Sequence, residues 1–543
     1  MRIGPHLLSA LVVISVGSVV TCDQLKQGHQ PAAGGLPLVS NEKFHFQVFS
    51  SRSLKDFESW IQSYPDFSLD NILANIGPNG RNVANQGVGA GVVVASPSRD
   101  LPDYFYQWVR DGAITVHALV EEYARTGNST IRDVINLYVN DVKNIQWTEN
   151  PSGDFRSGGL GEPKFEVDGR AFQDGWGRPQ RDGPALRSIA LISYYNALRK
   201  RGEGNRNTYQ FLYSIIKPDL EYVSHNWAAP GFDLWEEVKG LHFFTAMTQY
   251  KSLNLGEQIA WDAKDPGAAK WYRIQAAGLG RFLQTFWDDD RGHLIETLAT
   301  TRSGLDSALL LGAIHGGSDS VFPVHSDAVI GTLHALVSDM TFRYPINRIY
   351  LKRHGNHDGP ASIGVGRYPE DVYDGGDGRG GEGNPWFLCT ATVAHVLYAL
   401  VENISLSDRP LQITNTTASF YFQFLDSVNT LESASFYDFF FAQGFMSITE
   451  PIVVLAFPPG AKEIELILAG LLSYADGFLQ VVRNHADGQG HMSEQFDAKT
   501  GFMRGARDLT WSYESMLGAV KMRKRAYDAL EIRRQFYGNV KTV

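Results

Sequence analysis

The 543-residue chain is 43% hydrophobic and 20% charged, a globular composition that lets a large buried core offset the entropy of ordering the backbone. Its formal net charge is -10 and no Lys/Arg-rich stripe stands out, which argues against a nucleic-acid partner. A Walker A loop and an HExxH motif are missing, Ser493 and Ser512 lack a nucleophile-elbow frame, and two cysteines, Cys22 and Cys389, are too few for a cysteine-rich zinc site.

At the N-terminus, Arg2 precedes an apolar stretch from Leu7 to Val20 broken only by small residues. This reads as a secretory signal peptide over residues 1–22, cut between Gly17 and Asp23; a retained anchor is the alternative, and the stretch is short for one. No other segment is read as able to cross a bilayer, so a secreted, soluble product without a membrane partner is expected. Sequons at Asn128, Asn403 and Asn415 fit export as glycosylation sites. Residues 23–50 are polar and spotted with Gly and Pro, and read as an N-terminal arm.

From residue 51 the helical period dominates and strand-like alternation is sparse. Asp182-Gly-Pro184 marks a capped helix start before the run from Ala185 to Leu198, and Asn384-Pro385 does so before Trp386 to Val401. Apolar residues recur at helical spacing from Leu279 to Phe286, Val329 to Met340 and Leu471 to Val482, and a last pattern runs from Ala506 to Glu531. Cys389 falls inside an apolar helical pattern and reads as a small buried hydrophobe. The loop from Gly366 to Gly383 is long and Gly-rich. Long ordered loops in a compact domain are usually functional, so one mostly helical domain with a site built by loops at one end is expected.

Candidate chemistry concentrates in a few segments. Asp233-Leu-Trp-Glu-Glu237 brings three carboxylates and a tryptophan together, and fits either a solvated acidic helix start or a glutamic acid kept protonated against Trp235. Ser493-Glu-Gln-Phe-Asp497 is a second acidic locus, and glycoside hydrolysis uses two carboxylates. Arg110-Asp111 and the pair Arg367 and Asp371 suit either clamps on sugar hydroxyls or internal ion pairs. Asp111 also suits a cap on the helix bearing Ala113 to Tyr123, and His242 reads as a hydrogen-bonded framework residue. Among 11 Trp, 23 Tyr and 31 Phe, core filling and sugar platforms both remain open.

Seven blocks in order resemble the glucoamylases, glycoside hydrolase family fifteen, and most closely its secreted fungal and yeast members. They are Tyr104 to Asp111, Gly159 to Phe165, Trp176 to Leu186, Asp233 to Glu237, Gly366 to Asp371, Gly383 to Leu388 and Ala506 to Ser512. The resemblance implies an all-α (α/α)6 barrel with long loops forming an active-site pocket at one end. It implies that Glu236 is the general acid, Glu494 the general base of an inverting, exo-acting reaction, and Glu237 a carboxylate that binds sugar hydroxyls. Arg110, Asp111 and Arg367, with Asp371 beside them, match residues that grip the terminal glucose. Tyr104, Trp108, Trp176 and Trp386 match the aromatic lining, with Trp176 near the acid. The implied substrates are starch, glycogen and maltooligosaccharides. Neither a metal nor an organic cofactor is implied, and a monomer is expected.

Three departures accompany the resemblance. Many members carry several disulfides, which this chain cannot form. Gly505 stands where filamentous fungal members often have serine. The loop from Asp371 to Asn384 is longer and richer in glycine. No C-terminal starch-binding domain is expected. A non-catalytic carbohydrate-binding protein on the same fold is the alternative of another class, and a related exo-glucosidase with a different linkage preference is the alternative within enzymes.

Overall fold

The computed structural model describes residues 54–354, 360–376, 381–425 and 452–537. The signal segment, the arm and Cys22 lie outside the described residues. Six helices close into an inner ring: α2 (Val109–Thr126), α4 (Asp182–Arg201), α6 (Phe243–Asp262), α8 (Ser307–Gly316), α11 (Phe387–Leu406) and α14 (Thr510–Tyr537). Each packs against the next, and α14 returns to α2. Around them lie α1 (Leu54–Ala74) against α14, α3 (Ser129–Trp147) against α2, α5 (Arg206–Asn226) against α4, α7 (Pro266–Leu283) against α6, α9 (Asp327–Arg343) against α8 and α13 (Lys462–His485) against α11. Alternating inner and outer helices make the expected (α/α)6 barrel. The short helices α10 (Pro345–His354) and α12 (Ala418–Phe422) complete the set among the described residues.

Local chemistry fixes many helix ends. Asn128 caps α3 by accepting from the Thr130 N–H, and Asn205 with Thr208 forms a capping box on α5. Asp265 caps α7 with Pro266 in its first position, and Asp306 caps α8. Gly127 ends α2 at φ 70°, a left-handed conformation glycine adopts without a Cβ penalty. A buried Arg187–Asp219 pair, with Nε to Oδ2 at 2.8 Å, joins α4 to α5.

Several expected boundaries differ. Asp182 lies within α4 and accepts from Arg110 at 3.1 Å rather than capping the helix. Asn384 caps nothing: its amide bridges Asp374, Gln495 and Ala498, and α11 starts at Phe387. Tertiary partners claimed both polar side chains. The last helix starts at Thr510, because Met503–Arg507 pairs as a strand. Trp108, not Asp111, occupies the cap position of α2. Phe387–Leu406 and Lys462–His485 are both long and apolar enough to cross a membrane, contrary to the sequence reading; 78% of the first and 56% of the second is buried inside the protein. Their apolarity fills the barrel core. Cys389 is fully buried there, and burial pushes its thiol pKa up, as expected of a small hydrophobe.

Candidate active site

Segments singled out in the sequence lead into the N-termini of five inner helices: Tyr104–Trp108 into α2, Trp176–Arg181 into α4, Asp233–His242 into α6, Arg367–Trp386 into α11, and Glu494–Leu509 into α14; Arg302–Asp306, not marked in the sequence, leads into α8. The barrel thus gathers them at one end, where helix N-termini favour negative charge.

Asp233-Leu-Trp-Glu-Glu237 is not an acidic helix start. It is the loop of a hairpin between β1 (Gly231–Phe232) and β2 (Lys239–Gly240). Asp233 organises it: Oδ1 accepts from the Glu237 and Val238 N–H groups, and Oδ2 from that of Trp235. Glu236 sits at φ 68°, a left-handed conformation that side chains other than glycine rarely adopt. Its N–H donates to the Asp233 carbonyl at 3.0 Å. Trp108 Nε1 donates to Glu236 Oε1 at 2.6 Å, and Gln180 Nε2 donates to the same oxygen at 2.9 Å. Arg110 lies 3.6 Å from it. These three contacts all gather on Oε1. Trp235 makes no hydrogen bond to this carboxyl. Its indole donates instead to Asp306 and packs on Trp386 and Trp511.

Glu494 lies in β3 (Ser493–Phe496), paired with β4 (Met503–Arg507), whose register shifts between Arg504 and Arg507. It is fully buried. Tyr373 donates to its Oε2 at 3.2 Å and is itself hydrogen-bonded to Tyr104. Burial pushes the Glu494 pKa from 4.5 to about 7, against Tyr104, Arg367 and Tyr373, which favour the charged form. Gly505 has φ 74°, and a Cβ there would lie 2.3 Å from Glu494 Oε2. Any side chain at 505 would displace the carboxylate.

A clamp surrounds the pair. Arg110 contacts Gln180 at 2.8 Å, Asp182 at 3.1 Å and Asp111 at 3.4 Å. Burial lifts Asp111 to about 6. Arg367 binds Asp371 through two nitrogens, at 2.8 and 2.6 Å, and reaches Glu237 at 2.9 Å. Burial opposes ionisation of Glu237, but Arg367, Tyr368 and Arg302 together hold its pKa below the ordinary value. On the other side, Lys164 Nζ lies 3.4 Å from the Trp176 ring centre and 4.7 Å from that of Trp108. Burial lowers this ammonium to about 8.

Glu236 and Glu494 line one pocket, with Tyr104, Trp108, Arg110, Asp111, Trp235, Arg367, Trp386 and Trp511 among its walls. Five of those residues bury a polar atom that has no hydrogen-bond partner: Arg110 Nε, Asp111 Oδ2, Trp386 Nε1, Glu494 Oε1 and Trp511 Nε1. Buried polar groups are normally satisfied, and each left alone costs roughly 1–3 kcal/mol. Convergence of donors and acceptors on one cavity makes a site for a ligand rich in hydroxyls.

A sequence model of the glycosyl hydrolases family 15 matches residues 66–521. The chain belongs to this family. A glucoamylase of Saccharomycopsis fibuligera is 36% identical over 511 residues, covering 88% of this chain and 93% of the relative. An intracellular, sporulation-specific glucoamylase of Saccharomyces cerevisiae is 34% identical over 500 residues, covering 87% and 85%. The solved structure of glucoamylase from Saccharomycopsis fibuligera aligns with a TM-score of 0.77 at 34% identity, covering 89% of this chain and 98% of that one.

Within this family 15 member, eight of the eleven catalytic and binding residues proposed from sequence line the pocket: Tyr104, Trp108, Arg110, Asp111, Glu236, Arg367, Trp386 and Glu494. Trp176 and Glu237 stand outside that wall, Trp176 being 37% exposed. Asp371 is buried behind Arg367 in the internal ion pair, and reaches the pocket only by positioning that guanidinium. His242 is a framework residue, bonded to Thr297 and the Gly231 carbonyl, and burial lowers its pKa. Sequence reasoning did not single out Gln180, Tyr373, Arg302 or Trp511. Gln180 and Trp511 lay within matched blocks, whereas nothing in the spacing marked Tyr373. Asn128 and Asn403 are exposed; Asn415 is half-buried and accepts from the Ile452 N–H.

Proposed function

We propose that the chain releases glucose from the non-reducing ends of starch, glycogen and maltooligosaccharides by single-displacement hydrolysis, inverting the anomeric carbon. It is a glucan 1,4-alpha-glucosidase, acting to release glucose from starch. The finer reading rests on one observation: two carboxylates of unlike environment share a pocket whose walls hold five buried polar atoms without a hydrogen bond, Arg110 Nε and Asp111 Oδ2 among them meeting only as an ion pair at 3.4 Å. Glu236 Oε2 gives its proton to the glycosidic oxygen as the bond from that oxygen to the anomeric carbon breaks and the bonding pair stays on oxygen. Glu494 takes a proton from a water molecule, whose oxygen attacks the same carbon from the opposite face. An α-linkage thus yields β-glucose. Arg110, Asp111 and Arg367 bind the terminal sugar through hydroxyls that an internal residue has already used in its linkage, so attack is exo. No cofactor takes part in these steps.

The proposal extends to the whole chain: a signal peptide at 1–22, an arm at 23–50, a catalytic domain over 51–543, export as a monomer, and glycans at Asn128 and Asn403. Asn415 is a poorer acceptor because its amide is engaged.

Glucose release from maltotriose tests the function. Wild type should turn over; Glu236→Gln and Glu494→Gln should each lose about 10²–10⁴-fold while still binding maltose. A wild type that binds maltotriose without releasing glucose would instead establish the non-catalytic alternative.

A further inference from the structure

We infer a second α-glucan-binding site on the outer face of the barrel, in the groove between α5 and the loop at 155–160. It rests on the reading that the substrate is an α-glucan. The groove encloses about 730 Å³, within the size range of small-molecule sites. One wall is a stripe of α5: Tyr213, Lys217, Glu221 and His225 recur every fourth residue and so share a helix face ~18 Å long. The facing wall is Phe155, whose ring stacks on Trp147 at 4.0 Å and 3°. Trp147 is 61% exposed, an indole left in water at the groove edge. At the end of the stripe the ring of Trp271, 38% exposed, lies 5.5 Å from His225.

The chemistry selects a neutral, polyhydroxylated ligand. Lys217 is paired with Asp265 at 2.5 Å, and Glu221 accepts from Tyr272 at 2.8 Å and lies 3.8 Å from His225, so the charges of the α5 stripe are engaged within the protein and Arg156, on the facing loop, is the further cation of the lining. An anion or an acidic peptide finds no unneutralised cluster of cations there. Aromatic faces offer platforms for the apolar C–H side of a pyranose, and the hydroxyl of Ser214 and amide of Asn226 stand beside them. The groove also adjoins the catalytic loops. Leu160 on its floor belongs to the turn at Gly159–Gly161, and the Gly161 carbonyl accepts from the N–H of Gln180, the residue that grips Glu236. A glucan held here keeps the rest of its chain near the pocket, which raises the effective concentration of chain ends.

β-Cyclodextrin is the probe, because a closed ring of α-1,4-linked glucose has no chain end to offer an exo pocket. Calorimetric titration of wild type should show binding, and Trp147→Ala and Phe155→Ala should each weaken it at least about tenfold and reduce adsorption to granular starch. Maltotriose turnover, measured on the same samples, should stay within about twofold. In wild type, cyclodextrin should also slow amide exchange over 206–226, a readout that needs no variant. Binding unchanged in both variants, no protection over 206–226, or competition with maltotriose hydrolysis would overturn the inference. A wild type inert toward maltotriose would count against the proposed function instead.

Discussion

The two carboxylates of the pocket live in opposite surroundings. Glu236 is mounted on a strained hairpin turn, partly open to solvent, with the indole of Trp108 and the amide of Gln180 donating to one of its oxygens. Glu494 is mounted on a strand pair, wholly buried, with one oxygen lacking any partner. Glu236, the proposed acid, is thus positioned by hydrogen bonds and backbone strain, and Glu494, the proposed base, by exclusion of water. Exclusion costs stability: a dry, unsatisfied carboxylate is a group the fold would keep neutral, as active sites often hold groups that stability alone would not choose.

The largest expected effect separates the two by pH. In Glu236→Gln, after its loss of about 10²–10⁴-fold in turnover, the remaining rate depends on Glu494 alone. That rate should rise with pH through about 7, the value to which burial has lifted the base. A residual rate that falls as pH rises through this range would reverse the two roles.

The next effect is on stability. The folded Glu494 carboxyl binds its proton more tightly than the unfolded chain does, so the penalty for ionising it is absent below about 4.5, grows as pH rises and is complete above about 7. At about 1.4 kcal/mol per tenfold change in proton affinity, it reaches roughly 3 kcal/mol. Glu494→Gln removes the charge and keeps the shape. Its melting temperature should exceed that of wild type near neutral pH, and the gap should close below about pH 4.5. A variant no more stable than wild type at neutral pH would show that water relieves the burial.

A smaller effect comes from Gly505. Gly505→Ala introduces a Cβ 2.3 Å from Glu494 Oε2 at a positive φ, which should destabilise by about 1–3 kcal/mol. Moving the base should also cut kcat more than it raises KM. An alanine variant with wild-type kcat would mean that the strand pair yields without moving Glu494.

Much of this was legible beforehand, for identifiable reasons. The barrel helices carry continuous apolar patterns, so α9 and α13 could be read directly from periodicity; one motif block held Glu236, and Glu494 stood in a separate acidic locus, Ser493 to Asp497. The surroundings of those residues were not legible, because they come from distant segments. The tryptophan against Glu236 is Trp108, 128 residues away, and not its neighbour Trp235. Asn384 had the form of a helix cap and was taken by Gln495, 111 residues on. Tyr373, which donates to Glu494, sits in a loop whose sequence shows no period. The apolar runs of α11 and α13 look alike to any hydropathy reading, whether a bilayer or a barrel wall covers them.

Proton NMR of a fresh maltooligosaccharide digest tests the central claim, that Glu236 and Glu494 act on opposite faces of one anomeric carbon, most directly. The β-anomer of glucose should appear first, with α-glucose growing in only at the rate of mutarotation. Early α-glucose would contradict single displacement, and early maltose in place of glucose would contradict a pocket that admits only a chain end.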